Sequence, residues 1–161
     1  MRLAPVTGLF GTNSSGKTSI LQLLLLLRQT VESPDRSQVL NFGGQNTLVS
    51  LGGFRNIVRE HDTSSELGWE ISWQLAKRLQ IPDPEKKGQA LLEGNTLTYK
   101  ASLSETRQGL GIDELVYAFG GQEFRLARKK DTSKYSLTSP TGFSLTRTRG
   151  RAWDLPAPVK C

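Results

Sequence analysis

Eight consecutive residues, Gly11, Thr12, Asn13, Ser14, Ser15, Gly16, Lys17 and Thr18, satisfy the spacing G-x-x-x-x-G-K-[ST]. The chemistry of that pattern is the binding of phosphate. Gly11 and Gly16 allow the backbone to fold back on itself, so that successive amide N–H groups point inward at phosphate oxygens. The loop leads into a helix whose first amides and positive dipole end attract anions. Lys17, the candidate catalytic residue, would reach β- and γ-phosphates as a cation, and the Thr18 hydroxyl would ligate Mg²⁺. Ser19, one residue further on, suits an α-phosphate oxygen. Residues Gly11 to Ser19 are therefore the candidate nucleotide-binding set, with ATP and Mg²⁺ as the expected cofactors.

Other reactive residues offer less. The only Asp-Glu pair, Asp113-Glu114, is expected ahead of its strand. A base that activates water must instead stand at the loop-facing end of a strand to reach a γ-phosphate. FGGQ occurs at 42–45 and again at 119–122, and both copies read as turns. His61 is the single histidine and Cys161 the single cysteine, so neither a zinc site nor an intrachain disulfide is available. His61 reads as a polar turn residue. Trp69 and Trp73 fall on one face of a strand and read as core.

The elements that would position the loop follow from periodicity. APVTGLF at 4–10 reads as a short buried strand, and Ser15 to Thr30 as a helix that is apolar on nearly all sides, ended by Pro34 and Asp35. The period then changes to two. Leu67, Trp69, Ile71, Trp73 and Leu75 alternate with polar residues or Gly across 66–75, and Leu97, Tyr99, Ala101 and Leu103 do so again. Residues 115–126 read as a hairpin turning at Gly120-Gly121, and 135–138 with 143–146 as another. Residues 82–88 form a loop and 151–161 an extended connector. The expected fold is α/β with α+β character: one strand–loop–helix unit over 1–35, then a mostly antiparallel meander over 36–150.

Length and composition fit one ordinary globular domain: 161 residues, 36% hydrophobic and 22% charged. The longest apolar run, around Leu23 to Leu27, is too short to span a bilayer, and no cleavage site follows it. A reducing, cytoplasmic setting is expected. The net charge of +6 is local. Residues 1–120 balance, whereas 121–161 hold nine basic and three acidic side chains, read as a solvated face with a nucleic-acid strip as its rival.

The order of strand, loop, single helix and antiparallel strands resembles the first lobe of ABC-type P-loop ATPases. Asn13 in GTNSSGKT matches the G-x-N-x-x-G-K-[ST] of the branch containing SMC, RecF and OLD-type proteins. PVTGLFGTNSSGKTSILQLLLLLRQT, LVSLGGFRNIVREHD and WDLPAPVK resemble a family of bacterial AAA/ABC-type ATPases with a C-terminal domain of unknown function. The likeness covers most of the chain and is sharp at 5–30 and 48–62.

The resemblance implies an N-terminal ATPase lobe whose Walker B and signature segments lie beyond residue 161, and a homodimer formed through the missing lobe. It makes Arg55 and Arg59 candidates for nucleotide or DNA contact, and couples hydrolysis to DNA repair or defence against foreign DNA. The alternative is a nucleotide- or DNA-binding module without turnover. No N-K-x-D segment favours GTP. A lobe without its other half would also leave part of the Leu21 to Leu27 surface exposed and prone to self-association.

Overall fold

A computed structural model describes residues 1–35, 37–83, 86, 88–129 and 135–140. The chain divides into two compact units, one over Met1–Gly53 and one beginning at Phe54.

The first unit is built on a single long helix, α1 (Lys17–Glu32). Its run of Leu and other strong helix formers contains no Gly or Pro, and the Arg28–Glu32 ion pair spans one turn at 3.0 Å. Burial is one-sided. Leu26, Gln29 and Thr30 are buried, while Leu21 and Val31 are more than half exposed. The helix is thus not enclosed on all sides as its composition suggests. It begins at Lys17 instead of Ser15, because Gly16 takes a left-handed conformation (φ 82°) and forms the cap.

The strand expected at 4–10 does not form. Residues 1–16 hold no regular element, and Val6 and Phe10 are at least 90% exposed. In place of a strand there is a local turn, in which the Thr7 hydroxyl accepts from the Ala4 N–H at 2.8 Å and donates to the Ala4 carbonyl at 3.1 Å. A strand exists only by pairing, and the described residues of this unit contain no other strand.

The second unit holds a short helix, α2 (Phe54–Ile57), a 3₁₀ turn at Arg59–His61, and five strands: β1 (Leu67–Pro82), β2 (Ala90–Thr106), β3 (Gly109–Phe119), β4 (Gln122–Arg128) and β5 (Tyr135–Thr138). They form one sheet in the order β1-β2-β3-β4-β5, every neighbour antiparallel. The register places one apolar row across four strands, Ile71–Tyr99–Tyr117–Phe124. Within it the Tyr99 and Tyr117 rings lie 5.0 Å apart. The next row on that face, Trp69–Ala101–Leu115–Leu126–Leu137, is buried over its first three members. The opposite face is polar. There Glu70, Lys100, Val116 and Arg125 share a row, and Val116 is only 2% exposed, as expected beneath the aliphatic stems of its charged neighbours.

This architecture corrects the expected α/β class and ABC-type P-loop lobe. A P-loop NTPase layout is a parallel sheet flanked by helices, reached through βαβ crossovers. Here all four strand pairings are antiparallel, and α1 is the only helix longer than four residues among those described. The strands read from the alternation at 66–75 and 96–103 are present and extend further than the alternation does. Phe119 and Gln122 pair across the Gly120-Gly121 turn. Of the second expected hairpin, β5 forms; its other arm at 143–146 and the connector at 151–161 lie outside the described residues.

Candidate functional site

The loop Gly11–Thr18 turns sharply because three residues in it adopt positive φ: Gly11 at 150°, Ser14 at 62° and Gly16 at 82°. Ser14 is the costly member, since a left-handed conformation strains a residue with a β-carbon. Gly16 then opens α1, its carbonyl accepting the Ile20 N–H at 3.3 Å.

Lys17 is the first helical residue, and its side chain returns across the loop that precedes it. The ammonium donates to the Gly11 carbonyl at 2.9 Å, to the Thr12 carbonyl, and to the Ser15 hydroxyl at 3.2 Å. One cation thus ties together both ends of the turn. Around it Gly11 to Gly16 and Thr18 are exposed, so the loop is open to solvent.

The helix start carries no compensating negative charge. Gly16 supplies no side-chain cap, and the first turn contains no acidic residue. The first amides of α1 have no intrahelical acceptor, and the dipole end favours an anion by about 0.3–1 kcal/mol. The donor set of loop amides, helix N-terminus and Lys17 ammonium therefore fits a phosphate group. Thr18 and Ser19 stand exposed on the same first turn. For Mg²⁺ the protein offers only the Thr18 hydroxyl there, and no group of three His, Cys, Asp or Glu side chains suited to a metal occurs among the described residues. The ion fits as one carried mainly by phosphate oxygens.

Arg55 and Arg59 belong to the second unit, so the loop geometry stands without them. Arg59 pairs with the adjacent Glu60 at 3.2 Å, both side chains exposed. The Arg55 carbonyl is bonded to His61 Nδ1 at 3.0 Å. Glu60 and His61 take consecutive left-handed conformations, φ 57° and 58°, which makes His61 an exposed turn residue.

Asp113 and Glu114 lie inside β3, not ahead of it. Asp113 is the extra residue of a bulge between the pairs Ser102–Glu114 and Leu103–Ile112. It accepts from Arg128, which also donates to the Ser104 hydroxyl at 3.0 Å, while Glu114 pairs with Arg125 at 3.0 Å. Both carboxylates are committed within the sheet. The second FGGQ copy closes the β3–β4 hairpin as expected, whereas in the first only Gln45 belongs to a turn, at 45–46, and Phe42 to Gly44 are irregular, with Gly43 at φ 101°. Trp69 is buried as expected, but Trp73 on the outer strand is 45% exposed.

Gln29 is the residue that sequence reasoning missed. Its buried amide donates to the carbonyls of Asn41 and Val49 and accepts the Val49 N–H, fastening the segment after α1 back onto the helix. The only sequence signal was a polar residue near the end of a Leu-rich helix.

No family model, curated protein or solved structure matches this chain. No helix among the described residues is long and apolar enough to cross a membrane.

Proposed function

We propose that Gly11–Ser19 bind the phosphates of ATP as its Mg²⁺ complex. The observation that carries this reading is the Lys17 ammonium held over its own loop by Gly11, Thr12 and Ser15. A cation in that place, beside uncapped helix amides, is arranged for a polyanion. Lys17 exchanges its neutral carbonyl partners for anionic phosphate oxygens, a gain because charge–charge attraction is then added to hydrogen bonds the ammonium already makes.

The same unit lacks the means of turnover. Its only carboxylates among the described residues are Glu32 and Asp35, the first of them about 22 Å along α1 from Lys17 at the helical rise. Hydrolysis needs a base or water-positioning group at the γ-phosphate, so this unit by itself binds ATP and does not cleave it. In the SMC-like ATPase that the motif resembles, turnover and any coupling to DNA repair or defence would draw on residues outside this unit.

The test is calorimetric titration of the chain with Mg-ATP, Mg-ADP and Mg-GTP, with Lys17→Ala in parallel and phosphate release followed on the same samples. We expect saturable Mg-ATP binding, weakened at least about tenfold in the variant (about 1.4 kcal/mol), and no phosphate release. Absence of binding, or equal binding by Lys17→Ala, overturns the assignment.

A further inference from the structure

β1 is the outermost strand, and among the described residues its backbone has a partner strand, β2, on one side only. Residues 67–74 pair with β2 in unbroken register; the pairing is interrupted between Gln74 and Leu79, where Lys77 and Arg78 lie. This leaves a regular edge of eight residues, LGWEISWQ, with a single charge, Glu70. That charge is already bonded to Lys100 of β2 at 3.1 Å. Natural sheets blunt such edges with charges, prolines or bulges, and here those devices begin only after Gln74.

We infer that β1 pairs antiparallel with β1 of a second copy of this chain, about a two-fold axis at Ile71. This goes beyond the nucleotide reading and does not depend on it. Three features select a copy of the same strand. First, only registers in which paired residue numbers sum to an even value keep apolar residues opposite apolar ones, because the side-chain period is two. Second, centring on Glu70 would set two carboxylates against each other, whereas centring on Ile71 pairs Trp69 with Trp73 of the copy and Glu70 with Ser72, over the regular edge from Gly68 to Gln74. Third, the strand is charged asymmetrically. Asp62 and Glu66 stand exposed at its entry and Lys77 at its exit, where the neighbouring Arg78 is already paired with Glu93 of β2 at 2.5 Å. Antiparallel pairing in this register sets Glu66 opposite Ala76 of the copy, one residue from Lys77 in the irregular stretch after Gln74, whereas parallel pairing would bring like charges together. The half-exposed Trp73 gains a cross-strand aromatic neighbour, and the apolar face becomes continuous across ten strands.

The experiment is sedimentation velocity on the full chain from about 1 to about 200 µM at low and high salt. We expect a monomer–dimer equilibrium that weakens with salt. Glu66→Lys or Lys77→Glu alone should raise the dissociation constant at least about tenfold, and the two reversals combined should restore it. Both residues are exposed, so circular dichroism of the variants should match the parent. A monomer throughout, a dimer indifferent to either reversal, failure of the double variant to recover, or assembly growing past the dimer each overturns the proposal. Association through the exposed side of α1 would show itself as the indifferent dimer.

Discussion

The amide of Gln29 meets Val49 at two points, donating to its carbonyl at 3.1 Å and accepting its N–H at 3.0 Å, across twenty residues of sequence. A third bond runs from Gln29 to the Asn41 carbonyl. The neighbouring Thr30 hydroxyl donates to the Leu26 carbonyl and accepts the Asn41 N–H at 2.9 Å. Two adjacent polar side chains thus bond the backbone at both ends of the segment 41–49, which contains no strand or helix.

Gln29→Ala should therefore loosen the first unit. It strands the Val49 N–H and the Asn41 carbonyl, each worth about 1–3 kcal/mol when left unpaired away from water; the Val49 carbonyl keeps the Thr47 hydroxyl. The expected loss is about 2–4 kcal/mol, read as faster amide exchange at Val49 together with a lower melting temperature. Gln29→Glu should be no better, since it faces a carboxylate with two carbonyl oxygens. Unchanged exchange at Val49 would remove the clamp from the account of this unit.

Gly43 controls the same segment from the other side. Its φ is 101°, and a β-carbon there would clash with the Val49 carbonyl oxygen and meet Ser50 Cα at 2.8 Å. These are backbone atoms that cannot swing away. Gly43→Ala should cost at least about 1–3 kcal/mol. Gly44→Ala, next to it, meets nothing within 4 Å and should stay within about 0.5 kcal/mol. Equal melting temperatures for the two variants would contradict this geometry.

Legibility in the sequence followed locality. The alternation from Leu67 to Leu75 reveals the first half of β1, yet the strand continues to Pro82 through Ala76, Lys77 and Arg78, where the period is lost at the bulge. Residues 4–10 have strand composition and form none, because pairing partners are not encoded in a segment itself. For the candidate site, the spacing from Gly11 to Thr18 located the loop; that Lys17 spends its donors on Gly11 and Thr12 is a matter of side-chain path, which spacing does not carry. The role of Gln29 was hidden because its partners lie twelve and twenty residues away. The fold class was misread because the strand expected at 4–10, which would have tied the loop and α1 to a sheet, does not form, while the strands that do form pair only antiparallel.

Asp113 and Arg128 form the most enclosed ion pair among those described, with side chains 27% and 21% exposed. Asp113→Ala leaves Arg128 with its bond to the Ser104 hydroxyl and should destabilise the sheet by about 1–3 kcal/mol in urea unfolding. Glu114→Ala, whose partner Arg125 is half exposed, should cost under about 1 kcal/mol. A double-mutant cycle over Asp113 and Arg128 should return a coupling of about 0.5–3 kcal/mol; a coupling indistinguishable from zero would make the bulge pair ornamental.

Tyr135 provides a pH signature for the β4–β5 edge. Its hydroxyl donates to the Ile112 carbonyl at 2.9 Å. Burial disfavours the phenolate and raises the group above 10.0, with Arg128 opposing and Asp113 reinforcing the shift. An acid whose folded value is raised binds its proton longer when folded than when unfolded. The contribution of this group to stability is therefore constant below pH 10.0 and falls as pH rises past it, because the unfolded chain ionises first. Subtracting the alkaline absorbance titration of Tyr135→Phe from that of the parent isolates this phenol from Tyr99 and Tyr117, and its midpoint should lie above 10.0. Below that pH the parent should be more stable than the variant by about 1 kcal/mol, the worth of one hydrogen bond. Above it the difference should shrink. A midpoint at or under the ordinary value, or a stability difference that ignores pH, would show that this hydroxyl is not held against Ile112 in solution.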